Sequence, residues 1–301
     1  MSYEDFHPEL RRIARLLPRD LVSRRNLPLF RLLMSLHLPG RHDDVDVVGL
    51  ATGAGVRLHR PLEPAATSGA LLWIHGGGYL LGSARQDDQL CRRFARKLGI
   101  TVGSVEYRLA PEHPFPAALD DCYAALQQLV ALPGVDPARV AIGGASAGGG
   151  LAAALALMTR DRGEINPALQ LLTYPMLDDR TVAQSPLHAR NYRLCSERSN
   201  RFGWAAYLGD VDPDIAVPAR NADLAGLPPA WIGVGTHDLF HDEDLVYAER
   251  LSKAGVPCRV EVVPGAFHGF DRLVPGAQVS RSFFDSQCAS LREALTAGTT
   301  A

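Results

Sequence analysis

A chain of 301 residues that is 47% apolar and 21% charged can bury a sizeable core and carries too little charge to remain disordered. Its formal net charge of −2 lacks the basic excess of a nucleic-acid binder, so no nucleic-acid partner is expected. Five cysteines (Cys91, Cys122, Cys195, Cys258 and Cys288) are too few for a disulfide scaffold and contain no C-x-x-C pair, so they read as mostly buried thiols in a reducing, cytoplasmic compartment.

At the start of the chain Glu4, Asp5 and Glu9 precede any apolar run, which does not fit a secretory signal. Residues 9–31 hold seven Arg against Glu9 and Asp20, with Leu10, Ile13, Leu16 and Leu17 at helical spacing. Punctuated by prolines, this segment predicts two or three short amphipathic helices packed on the main body. After Gly40 strand-like and helix-like runs alternate. Strands are predicted over 70–74, 100–105, 140–142, 169–173, 230–234 and 259–263. Helices are predicted over 87–98, 117–131, 147–159 and 242–254. Alternating β and α runs imply a mostly parallel sheet with helices on both faces. Residues 178–229 break the rhythm, and a long excursion inside such a fold is usually a lid or cap. Positions 140–159 carry no charge, but seven Ala and five Gly supply little transfer energy. They read as a buried strand, a turn and a buried helix, and no membrane association is expected.

Gly144-Ala145-Ser146-Ala147-Gly148 is a G-x-S-x-G run between a predicted strand and a predicted helix. A sharp strand-to-helix turn lifts the central hydroxyl clear of the sheet, and glycines flank it because a Cβ there would clash. Ser146 is therefore the candidate nucleophile; the plain alternative is a small-residue turn that lets a helix pack closely. His75-Gly76-Gly77-Gly78 follows the strand at 70–74, and consecutive glycines expose N–H donors to a negative oxygen. No Lys follows in a P-loop arrangement. Among 10 His, His268 follows the strand at 259–263, at the sheet end where ligands bind, and is the candidate base. Asp238 is the first carboxylate after the strand at 230–234 and would orient that imidazole. Asp242, Glu243 and Asp244 suit the first turn of a helix and read as mainly capping. His237 and His241 lie four apart without a third ligand, so neither a metal nor a cofactor is expected.

The order Ser146, Asp238, His268 is that of α/β-hydrolases. Here the sequence resembles the bacterial hormone-sensitive-lipase family of carboxylesterases. The resemblance is carried by His75-Gly76-Gly77-Gly78-Tyr79, the run from Tyr107 to Ala118, Gly144-Ala145-Ser146-Ala147-Gly148-Gly149, Tyr247-Ala248-Glu249-Arg250-Leu251 and His268-Gly269-Phe270. It implies an α/β-hydrolase fold with a mostly parallel eight-stranded sheet and a helical cap. Residues 1–45 and 178–229 would form the cap, and 46–177 with 230–301 the catalytic domain. It also implies an oxyanion hole from the N–H groups of Gly77, Gly78 and Ala147, with His75 and Gly76 as supporting motif residues. Two positions depart from the family pattern: Ala145 stands where many members have Asp, and Leu239 where the acid motif has Pro.

The function expected is hydrolysis of a small-molecule ester of short-to-medium acyl length through an acyl-enzyme on Ser146. Cap candidates at 9–17, 29–38 and 202–208 would close a pocket of roughly 300–1,000 Å³, with Trp204, Tyr207 and Leu208 as its cover. Two other functions compete. A ligand receptor on the same fold, like the plant gibberellin receptor, would lack the base that His268 supplies. A dinucleotide-dependent oxidoreductase would use the glycines of Gly148-Gly149-Gly150, but these follow Ser146 at the helix start rather than forming the first turn. The oligomeric state, a homodimer included, is left open by the sequence.

Overall fold

The computed structural model describes residues 3–20, 22–35, 45–63, 66–182 and 189–296. Its centre is an eight-stranded sheet in the order β1-β2-β4-β3-β5-β6-β7-β8. The strands are β1 (Asp46–Gly49), β2 (Gly55–His59), β3 (Ser68–Ile74), β4 (Thr101–Glu106), β5 (Val135–Ala145), β6 (Gln170–Thr173), β7 (Ala230–His237) and β8 (Cys258–Phe267). From β3 to β8 all pairings are parallel, while β2 runs antiparallel to both β1 and β4. The predicted strands are all present. Missing from the sequence reading is the β1–β2 pair, whose outer strand is largely exposed and offers no apolar run to detect.

Two apolar cores flank the sheet, and the two-residue period of the strands divides side chains between them. In β3, Ala70, Leu72 and Ile74 face one core, and Leu71 and Trp73 face the other. All seven residues of that strand are buried, as befits a sheet covered on both faces. The first core is covered by α4 (Ala117–Val130), α5 (Ala147–Arg162) and α8 (His241–Lys253). The second is covered by α3 (Asp88–Leu98) and α10 (Gln278–Thr296), and Phe6, Leu10 and Ala14 from the N-terminal segment join it.

Two short N-terminal helices, α1 (Arg11–Leu16) and α2 (Leu27–Ser35), pack on this body through Leu10, Ala14 and Leu27, whereas Leu16, counted in the apolar face by its spacing, is 80% exposed. Positions 36–38 of the predicted cap element lie outside the described residues, as do 183–188 of the excursion. Within the excursion stand α6 (Glu197–Leu208) and α7 (Pro213–Ala216). A last short helix, α9 (Phe270–Leu273), follows β8. The uncharged run at 140–159 is the end of β5, a turn and most of α5. Among the described residues no helix is long and apolar enough to cross a membrane.

Helix α5 lies unusually close to the sheet because its first turn is glycine. A Cβ on Gly148 would overlap the carbonyl oxygens of Ile74 and His75, and one on Gly149 would come within 2.9 Å of Pro175. Gly148→Ala should therefore force the helix off β3 and lower stability by about 1–3 kcal/mol. Gly49→Ala, where a Cβ meets nothing within 4 Å, should be nearly neutral. Urea denaturation of the two variants checks this; equal midpoints would contradict the close seating of α5.

Candidate active site

Three strand ends converge on one spot. Ser146 stands between β5 and α5 with φ 57° and ψ −124°, outside the regions an L residue normally occupies. Its backbone is held from both sides. Its N–H donates to Thr173 O at 3.0 Å, and its carbonyl accepts from Gly150 and Met176, each at 3.0 Å. Asp238 follows β7 and is buried, with one carboxylate oxygen accepting the Phe240 N–H at 3.0 Å. The other oxygen lies 2.8 Å from Nδ1 of His268, which follows β8. A carboxylate only accepts, so Nδ1 carries the proton and Nε2 is left as an acceptor. Nε2 is 3.0 Å from Ser146 Oγ and so takes the serine hydroxyl hydrogen bond. The rings of Tyr174 and Phe240 pack edge-on against His268, at 4.7 and 5.3 Å between centroids, and fix its plane.

The glycine loop passes directly over Ser146. A Cβ on Gly76 would sit 2.8 Å from Ala145 O and 3.2 Å from Ser146 Cβ. Gly77 and Gly78 take φ of 139° and 61°, which only glycine adopts freely. The N–H groups of Gly77, Gly78 and Ala147 donate to no protein acceptor among the described residues. Beneath the loop, His75 is fully buried, stacks on Tyr107 at 4.2 Å and donates from Nδ1 to Gly76 O at 2.9 Å. Burial pushes its imidazole down to about 4, so it is neutral and serves as packing. Gln86 Nε2 also donates to Gly76 O, at 3.1 Å. Next to it the buried Asp87 joins Trp73 Nε1 at 2.8 Å to the Arg272 guanidinium at 2.7 Å.

Ser146 and His268 open on a cavity of about 260 Å³, just below the usual range for ligand pockets. Its apolar wall includes Val22, Phe30, Leu80, Leu81, Met176 and Leu194; Asn200, Gln86 and Arg272 also line it. This corrects the expected cover. Trp204, Tyr207 and Leu208 are buried away from the cavity, and Tyr207 stacks on Tyr79 at 4.1 Å to pin α6 to the glycine loop. Likewise α1 lies in the second core and not over the site. Phe30 of α2 does form part of the wall. Its neighbour Arg31 ties α2 to the body by donating to Leu80 O at 2.8 Å and Ala110 O at 2.5 Å and pairing with Glu112 at 2.7 Å.

The three acids after Asp238 do stand in the first turn of α8, as their position suggests, but none of them caps it. The N-cap of α8 is Phe240, with no side-chain cap bond. Glu243 is buried and accepts the N–H groups of Leu177 at 2.6 Å and Asp178 at 3.1 Å, and the Thr181 hydroxyl. Burial pushes its carboxyl up to about 8. It tethers the segment that carries Met176 past Ser146, a role its sequence position does not signal. Asp244 is fully buried, and Asp242 pairs with His241 at 2.8 Å. His237 bonds Asp5 O at 2.8 Å, and no group of three or more metal-ligating side chains exists among the described residues. Gly148 and Gly149 pack against the carbonyls of Ile74 and His75 and against Pro175, so these glycines are accounted for by helix–sheet packing. Neither departure from the motif displaces the site: Ala145 and Leu239 are both buried in the cores and Asp238 keeps its bond to His268.

Comparison with known proteins gives a consistent result. The sequence profile of the alpha/beta hydrolase fold matches residues 71–272. The chain is similar to esterase LipI of Mycobacterium tuberculosis, 36% identical over 238 residues, covering 75% of this chain and 74% of that one. It is also similar to an ethyl acetate hydrolase of Pseudomonas putida, 35% identical over 253 residues, covering 78% and 79%. Among solved structures, a bacterial heroin esterase superposes with a TM-score of 0.84 at 35% identity, covering 98% and 99%.

Burial of His75 makes stability depend on pH. Its folded pKa of about 4 lies below the ordinary 6.5, so the unfolded chain binds more protons between those values. The His75 contribution is therefore complete above pH 6.5 and is lost as pH falls through 4, by on the order of 3 kcal/mol. His75→Asn should flatten the fall in unfolding free energy between pH 7 and 4 by about that amount. An unchanged slope would mean that His75 protonates freely in the folded state.

Proposed function

Because the chain belongs to the hormone-sensitive-lipase-like carboxylesterase family of the alpha/beta hydrolase fold and is a carboxylic ester hydrolase, we propose that it cleaves short-to-medium acyl esters through an acyl-enzyme formed on Ser146. The observation that carries this reading is the hydrogen-bonded series Ser146 Oγ, His268, Asp238 opening on a cavity beside three N–H groups without protein acceptors. His268 Nε2 takes the Ser146 proton as Oγ attacks the carbonyl carbon, and the imidazolium is held by the buried Asp238. Negative charge on the carbonyl oxygen is met by the N–H groups of Gly77, Gly78 and Ala147. His268 then returns the proton to the leaving alcohol. Water, deprotonated by His268, attacks the acyl carbon and releases the acid and Ser146. The scheme needs neither metal nor cofactor, and every group in it comes from one chain, so a homodimer is not required for the chemistry.

The short acyl preference is supported by the cavity of about 260 Å³ and by a relative whose name specifies ethyl acetate. We place the enzyme in the cytoplasm, acting on a small-molecule ester without a nucleic-acid partner. The net charge of −2 and five free cysteines support that placement. The division into cap segments 1–45 and 178–229 is supported by Phe30 and Asn200, which reach the cavity from those segments.

A p-nitrophenyl ester series from acetate to palmitate tests the proposal. Each methylene should help by up to about 0.8 kcal/mol until the cavity is full, after which kcat/KM falls. Ser146→Ala should lose on the order of 10⁴-fold or more in kcat while keeping its melting temperature. Palmitate as the best substrate would contradict the short-acyl assignment, and near-parental activity of Ser146→Ala would contradict the mechanism.

A further inference from the structure

We propose that Asn200 is a specificity-determining residue, whose carboxamide recognises a hydroxyl or amide group carried by the ester. Such recognition presupposes the esterase chemistry above and names a substrate class for it. Asn200 is 2% exposed and lines the same cavity as Ser146 and His268. Neither Oδ1 nor Nδ2 has a hydrogen-bond partner among the described residues. A buried amide left unpaired is destabilising, whereas an apolar side chain of similar shape at the same place would not be. The amide is therefore a poor choice for packing alone and a good one for a ligand that both donates and accepts.

Its position is fixed by its helix. The Asn200 N–H is already used, donating to Ser196 O at 2.8 Å, so the residue is an ordinary member of α6 rather than its cap. One turn on, Gly203 is pressed against Gly78 O, and beyond it Trp204 and Tyr207 lock onto Tyr79. This face of α6 cannot turn to solvent without breaking those contacts. Gly203, one turn on, lies beside Gly78 and Met176, and Asn200 reaches the cavity from this anchored helix. Among the described residues, the wall built by α2 and the end of the glycine loop offers the carbon of Phe30, Leu80 and Leu81. Arg272, the charged side chain of the lining, is already ion-paired with Asp87. A plain alkyl ester satisfies the carbon wall and leaves the amide unpaired, while a hydroxylated or amide-bearing ester satisfies both.

Two pairs of substrates matched in length test this and separate the two parts of the ester. Ethyl butyrate against ethyl 3-hydroxybutyrate probes the acyl side; butyl acetate against 3-hydroxybutyl acetate probes the alcohol side. The wild-type enzyme should prefer the hydroxylated member in one pair, by kcat/KM. In Asn200→Leu that ratio should fall at least about tenfold, because the lost hydrogen bond affects one member of the pair only. Asn200→Gln, which keeps the amide, should retain part of the preference. Thermal melting should show Asn200→Leu to be no less stable than the parent; if it does not fold, Asn200→Thr serves in its place. Equal ratios in wild type and variant for both pairs, or a parallel loss on both members of each pair, would overturn the assignment while leaving the esterase reading intact. Failure of the wild type to cleave any of the four esters would instead count against the esterase reading itself.

Discussion

Ser146 can hold φ 57° and ψ −124° only because its neighbours leave it no alternative. Such a backbone costs on the order of 1–3 kcal/mol and persists where the surroundings over-determine it. Here the restraint is threefold. Gly144 and Gly148 let β5, β3 and α5 meet at distances that a Cβ would forbid. Thr173 accepts the Ser146 N–H, and Gly150 and Met176 bond its carbonyl. The buried Glu243, by holding Leu177 and Asp178, keeps the Met176 segment in place. The strained turn, the helix packed beneath it and the segment crossing beside it form one mechanical unit.

The rest of the site follows from that turn. With Ser146 raised above the sheet, its hydrogen-bond partners come from strands further along the same edge, and the ends of β7 and β8 supply Asp238 and His268. Parallel pairing of β5, β6, β7 and β8 brings their C-terminal ends to one side. The glycine loop after β3 reaches the same side from the opposite direction, and its approach to Ala145 and Ser146 requires that Gly76 lack a side chain. Helices α2 and α6 are fastened at this edge. Arg31 fastens α2 to Leu80 and Ala110, and the Tyr79–Tyr207 stack fastens α6 to the end of the glycine loop.

How much of this could be read from the sequence depends on whether a residue's role is local. The G-x-S-x-G turn, the glycine loop, and the first acid and the histidine after their strands are local signatures, and the structure brings Ser146, His268 and Asp238 within hydrogen-bond distance. The buried parallel strands were legible as apolar runs. The β1–β2 pair was not, because its outer strand is exposed and carries no alternation strong enough to detect. Glu243 and Asp244 look like first-turn helix acids, since their sequence position matches that role; only the packing of the 177–181 segment makes Glu243 a buried tether. Trp204 and Tyr207 were expected over the pocket because large rings favour such places, yet their partner is Tyr79, a contact set by tertiary packing. Phe30, Asn200 and Arg272 reach the cavity from three separate parts of the chain, and no local pattern marks them.

The central claim is that the acyl group passes through Ser146. Mixing the enzyme with p-nitrophenyl acetate, quenching in acid within the first turnovers and sequencing the peptides by mass spectrometry tests it directly. The account predicts an acetyl adduct on the peptide that carries Ser146, formed together with a burst of p-nitrophenolate and absent from Ser146→Ala. Turnover at the full rate with no adduct on Ser146, or with the adduct on another residue, would contradict it.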